Sequence, residues 1–140
     1  MRRRIYFNIS LLATTAVVLA SILLVVIFYN FYITEEKQSL KDHSHIIANA
    51  LESMGFNGIE NITNVDNLNY RTTLIDNTGR VIIDSSMDPK DLENHIDREE
   101  VKEALYNGSG ESIRYSTTIG KDTYYYAILL SNNSILRISR

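Results

Sequence analysis

The chain has 140 residues, 14 of them basic and 17 acidic, and no cysteine. Three bases stand at the start and every acid comes later, so from Glu35 onward 11 bases face 17 acids, a net charge of −6 that disfavours nucleic acid as a partner through phosphate repulsion. With no disulfide framework, a domain of this size is held together by packing.

Arg2, Arg3 and Arg4 are followed by no charged residue until Glu35, and the core of that stretch, Ile9–Ile33, reads ISLLATTAVVLASILLVVIFYNFYI. About 25 residues of helix rise roughly 37 Å, enough to cross a hydrocarbon core of about 30 Å with some tilt. The pattern predicts a cytoplasmic basic segment over 1–8, a transmembrane helix over 9–33 in contact with membrane lipid, and an extracellular domain over 34–140, anchored to the cell membrane by one pass. A cleaved signal peptide would need a shorter apolar region and a small-residue cleavage site. Here the run ends in Phe28-Tyr29-Asn30-Phe31-Tyr32, aromatics suited to the membrane interface.

Thr34–Met54 has helical periodicity, with Leu40, Ile47, Leu51 and Met54 on one face, and Gly55 is a natural stop. No glycine or proline separates it from the span, so one continuous helix is expected. Phe56–Tyr70 is polar and Asn-rich, a loop with at most a turn of helix. Arg71–Asp76 and Arg80–Asp84 read as the strands of a hairpin joined by Asn77-Thr78-Gly79. Asp88-Pro89 predicts a short helical turn over Pro89–Asn94. Asp97 with Glu100 resembles a capping box that opens a helix over Arg98–Tyr106, ended by Asn107-Gly108. Glu111–Thr117, Thr123–Leu130 and Ser134–Ser139 are strands separated by Ile119-Gly120-Lys121-Asp122 and Ser131-Asn132-Asn133. The expected fold is α+β: a transmembrane helix continuing into a long helix packed on a five-stranded antiparallel sheet.

This order of elements, with Leu74-Ile75-Asp76, Gly79 and Val81 on the hairpin, Asp84-Ser85 at its end, Asn94-His95 before Arg98 and Val101, then Ala104-Leu105, Gly108, Arg114-Tyr115-Ser116 and Tyr124-Tyr125-Tyr126, resembles the extracytoplasmic PAS-like (single Cache) sensor region of Gram-positive sensor histidine kinases of the phosphate-regulon type. The resemblance implies a PAS-like sheet, a homodimer, and a cytoplasmic kinase core that signals to a response regulator. Such kinases continue into a second span and a catalytic core, so the chain is expected to be an N-terminal fragment of one. The same domain could instead head a chemoreceptor or a cyclic-dinucleotide enzyme, or the chain could be a complete single-span binding protein.

The candidate chemistry is sparse. Ser44-His45 lacks the acidic residue and the proline of a histidine phospho-acceptor box, with Ile46 and Ala50 in those places, and His43 and His45 are expected to be solvated. Two residues apart, they point to different faces of a helix, which argues against a metal site, and His95 is expected to make a structural hydrogen bond. The acid-rich stretch Asp84–Glu103 suits helix capping better than a cation sensor. A small-molecule pocket between the sheet and the loop-helix layer, as in PAS-like domains, would draw on Arg114 as a carboxylate-binding guanidinium and on Tyr115, Tyr124, Tyr125 and Tyr126 as walls, with Tyr124 and Tyr126 on the face opposite Tyr125. No catalytic residue, cofactor or metal is expected, since neither a nucleophile motif nor a nucleotide-binding motif is present. The helix face Leu40, Ile47, Leu51 and Met54 is expected to carry the signal, either by packing on the sheet or by dimer contact.

Overall fold

The structure, a computed structural model, describes residues 2–54, 70–116 and 120–140, except for the side chain of Met54. The expected loop before Tyr70, the stop at Gly55 and the end of the strand at Thr117 lie outside the described residues. Helix α1 is Arg2–Met54. Strands β1 (Arg71–Ile75) and β2 (Val81–Asp84) follow, then a 3-10 turn at Pro89–Asp91, helix α2 (Glu99–Asn107), and strands β3 (Ser109–Ser116), β4 (Lys121–Leu129) and β5 (Ile135–Ser139). The chain divides into two compact units, Met1–Lys37 and Gln38–Arg140.

In the first unit α1 is long and apolar enough to cross a membrane, with a mean hydropathy of 2.8 over its best window. Its large apolar side chains are exposed throughout, Leu12 at 72% and Phe28 at 68%, so no protein core covers them. The hydroxyls of Thr14, Ser21 and Thr34 each donate to the carbonyl four residues earlier at 2.9 Å, which satisfies them without water.

The second unit is built on one five-stranded sheet in the order β2-β1-β5-β4-β3, every neighbour antiparallel. The last strand is central, and this α+β arrangement is the expected one. The β1–β2 hairpin closes on Gly79 at φ 85°, where a side chain would also strike Asn94 and Ile96. Asp76 stabilises the turn by accepting from the backbone N–H groups of Thr78 (2.8 Å) and Arg80 (3.0 Å). Alternation along the strands divides the sheet into two faces. One face presents Leu74, Tyr126, Ile128, Leu136 and Ile138 to Leu40, Ile47, Ala48 and Leu51 of α1. Each of these helix leucines and isoleucines removed from water stabilises the unit by about 1.5–3 kcal/mol. The other face buries Ile75, Val81, Ala127 and Ile135 under Val101 and Ala104 of α2. Gly110 lets β3 run against the backbone of α2, where a Cβ would collide with the Glu100 carbonyl and with Glu103.

Two expectations about the middle segment change. Asp88 caps the 3-10 turn as expected, accepting from the Lys90 N–H at 3.0 Å, but the turn ends at Asp91. The capping box does not form. The N-cap of α2 is Arg98, without a side-chain cap bond, and Asp97 pairs instead with Lys102 at 2.9 Å. The helix starts one residue later than a box from Asp97 to Glu100 requires, and the Glu100 carboxylate bonds Ser112 and Arg114 of β3.

Candidate functional site

The face of the sheet under α2 is apolar at one end and charged at the other. Cross-strand register aligns the charged half: Thr73 lies opposite Asp84 on one side and Arg137 on the other, Ser112 lies opposite Tyr125, and Arg114 opposite Thr123. Arg71 belongs to the same face, opposite Ser139. Above them sits the segment 87–98 and the first turn of α2.

Glu100 is fully buried at the centre. It accepts from the Ser112 hydroxyl at 2.6 Å, from Arg114 at 3.0 Å and from Arg137 at 3.5 Å. Arg137 also donates to the Thr73 hydroxyl at 3.2 Å, and that hydroxyl donates to Asp84 at 2.8 Å. Asp84 receives both of its oxygens' contacts with Arg71 Nε at 3.0 Å and accepts from the N–H of Ser86 and Met87. The Arg114 guanidinium stacks on the Tyr125 ring at 3.9 Å, and Arg137 lies 5.2 Å from the same ring. A network this connected fixes the strands and α2 in one arrangement.

Burial, the largest influence on Glu100, raises its pKa, but the bonds from Ser112 and Arg114 outweigh it and the group stays below its ordinary value, ionised at neutral pH. Burial lowers Arg137 to about 10 despite the pull of Glu100, so it remains charged. His95 is lowered to about 4, first by burial and then by Arg137, Arg98 and Arg114, and is neutral at physiological pH.

A cavity of about 230 Å³ opens beside this network, with Arg71, Arg98, Arg114, Arg137, His95 and Tyr125 in its wall. Met87 and Leu92 add apolar surface, and Asp91 and Glu93 stand at the rim. Three buried nitrogens of the wall, Arg114 Nε, Arg137 Nε and His95 Nδ1, have no hydrogen-bond partner. The larger groove beside the hairpin, about 780 Å³, holds Asp76, Arg80, Asp88 and Lys90 but no buried ionisable side chain.

The structure separates the residues expected to form one pocket. Arg114 lines the cavity, and its aromatic neighbour there is Tyr125. Tyr115 is 62% exposed. Tyr126 packs in the core with α1, and Tyr124 packs partly against the same cluster. The Tyr124 hydroxyl donates to Glu111, and its pKa is raised by burial and by that carboxylate. Leu40, Ile47 and Leu51 all belong to the core between α1 and the sheet. His45 is exposed as expected, with its ring 6.1 Å from that of Tyr126, whereas His43 is half-buried, 5.0 Å from the Tyr70 ring. His95 is buried and tied by its backbone N–H to the Gly79 carbonyl at 2.7 Å, while its ring Nδ1 has no hydrogen-bond partner. Among the described residues no three His, Asp or Glu side chains converge as a metal site.

Sequence reasoning missed Glu100 and Arg137. One signal was available. Arg137 interrupts the apolar run Ile135, Leu136, Ile138 of the last strand in sequence, and a charge inside such a strand requires a buried partner. Compared with known proteins, the chain matches no protein-family model and no curated protein.

Proposed function

We propose that this chain is the membrane-anchored, outward-facing sensor portion of a two-component sensor histidine kinase, with a PAS-like domain outside and a kinase core inside. The observation that carries this reading is the double role of α1. One helix contains both the exposed apolar stretch and the buried face Leu40, Ile47 and Leu51 that completes the sheet's core. A change in how the sheet packs on that face therefore acts on the element that enters the membrane.

The order of elements after α1, two strands, a turn and helix, then three strands, also agrees with the resemblance drawn from the sequence. Signalling in this account is a choice between two packed arrangements of similar energy, biased by an external contact worth a few kcal/mol. A homodimer would pass the bias to the kinase, and the kinase to a response regulator.

The test is to read the gene beyond codon 140. A frame that continues into a second apolar span and a phospho-acceptor helix is the expected result. A continuation into a methyl-accepting or cyclic-dinucleotide domain would keep the sensor and replace the kinase. A stop codon directly after Arg140 would overturn the kinase assignment.

A further inference from the structure

We propose that His95 and the arginines around it form an acid-operated latch, in which the neutral imidazole seats the 87–98 segment on the sheet and its protonation releases that segment. The stimulus such a latch answers is acid. The device belongs to this domain alone, so it stands whether or not a kinase core follows.

Geometry is the first argument. His95 is buried in the wall of the cavity. Strand β1 brings Arg71 to that wall, β3 brings Arg114 and β5 brings Arg137, and the segment itself contributes Arg98. The carboxylates on the same side are engaged with these cations. Glu100 of α2 bonds Arg114 and Arg137, Asp84 of β2 pairs with Arg71, and Glu93 lies 3.8 Å from Arg98. Asp91 and Glu93 are exposed, so water screens them from the ring.

Bonding is the second argument. A neutral imidazole donates from one nitrogen, and an imidazolium donates from both. Nδ1 of His95 is buried without a hydrogen-bond partner, so the seated arrangement gives the charged ring no bonded acceptor there. The Asn94 backbone favours the charged ring, but burial first, and then Arg137 and Arg98, outweigh it and lower the pKa to about 4.

The element free to respond is the segment. The strands around it are locked in ladders, whereas the segment meets the rest of the domain at few points. The Met87 N–H donates to Asp84, the His95 N–H to the Gly79 carbonyl at 2.7 Å and the Asn94 side chain to the Thr78 carbonyl at 2.9 Å, while Leu92 packs partly on the apolar cluster under α2. Such a segment opens at a lower free energy than the sheet beneath it. Once released, the ring regains its ordinary value of 6.5, so the released form takes the proton first as the pH falls. Values of about 4 when seated and 6.5 when released raise the ratio of released to seated segment about twentyfold between pH 7 and pH 5.

The experiment is hydrogen–deuterium exchange of the full chain in lipid nanodiscs, read by mass spectrometry at pH 7 and pH 5 and corrected for the intrinsic exchange rate at each pH. Protection over 92–96 should fall about twentyfold, and at both pH values these amides should exchange faster than those of Ala127 and Leu136 in the sheet. Protection unchanged by pH would overturn the latch. So would equal protection of the segment and the sheet, because the segment would then open only with the whole domain. In His95→Gln, which keeps a neutral polar side chain, the dependence on pH should vanish, and its persistence would overturn the assignment to His95. Arg98→Gln removes a facing cation whose ion pair with Glu93 is exposed, so the fold should persist while the loss of protection shrinks below twentyfold. An undiminished loss in that variant would overturn the part given to the arginines.

Discussion

Glu100 is the residue whose replacement should cost most for the smallest change in shape. Glu100→Gln keeps the volume but leaves Arg114 and Arg137 without their shared anion, and losing one member of a buried pair costs about 3–5 kcal/mol. Urea denaturation of the detergent-solubilised chain should show that loss, whereas Asp97→Asn, which removes an exposed pair with Lys102, should cost less than about 1 kcal/mol. His95 sets a separate dependence on pH. Its folded pKa, about 4, lies below the ordinary value of 6.5, so the unfolded chain binds more protons between the two. The stability it contributes is complete above about pH 6.5 and is lost as the pH falls towards 4. Arg98, Arg114 and Arg137 face the ring and oppose its protonation, and Glu100, which lies under the same network, loses its own contribution only as the pH falls below the ordinary carboxylate value of 4.5. Thermal melts from pH 7 to 5 should therefore show a decline that His95→Gln flattens. At this scale the sequence was only partly legible. Asp88 and Gly79 act through bonds to their immediate neighbours and were predictable. Glu100 was assigned to a cap three residues away because its real partners, Ser112 and Arg137, come from strands distant in the chain.

Helices and strands were more legible, because hydrophobic period is a property of the local sequence. The spacing of Leu40, Ile47 and Leu51 marked the buried face of α1, and the hairpin followed from its turn residues. What periodicity did not reveal was which sheet face each tyrosine joins. Alternation separated Tyr125 from Tyr124 and Tyr126, but only the register with β3 and β5 shows that Tyr125 shares a face with Arg114 and Arg137. Two variants test the packing of these elements. Leu51→Ala empties a fully buried position between α1 and the sheet and should destabilise the second unit by about 2–5 kcal/mol, read by urea denaturation. Ile47→Asp should break that packing, whereas Ile46→Asp, at a position 64% exposed, should leave the melting transition close to wild type. Leu40, Ile47 and Leu51 of this helix face are buried against the sheet. A second close contact is between β3 and α2. Gly110→Ala forces a methyl against the Glu100 carbonyl and should cost about 1–3 kcal/mol by the same measurement.

At the scale of the whole molecule, α1 is long and apolar enough to cross a membrane, and the proposed sensor reading requires the arginines inside and the sheet outside. The apolar run was legible from composition alone, and the exposure of its side chains agrees with a lipid environment. The orientation is the claim from which the sensor reading draws its meaning. Because the chain has no cysteine, a single engineered thiol reports position without interference. The measurement is labelling of intact bacterial cells with a membrane-impermeant maleimide, comparing Asn132→Cys in the exposed β4–β5 turn with Asn8→Cys near the arginines. The account predicts that Asn132→Cys is labelled in intact cells and Asn8→Cys only after lysis. Labelling of Asn132→Cys only after lysis would contradict it.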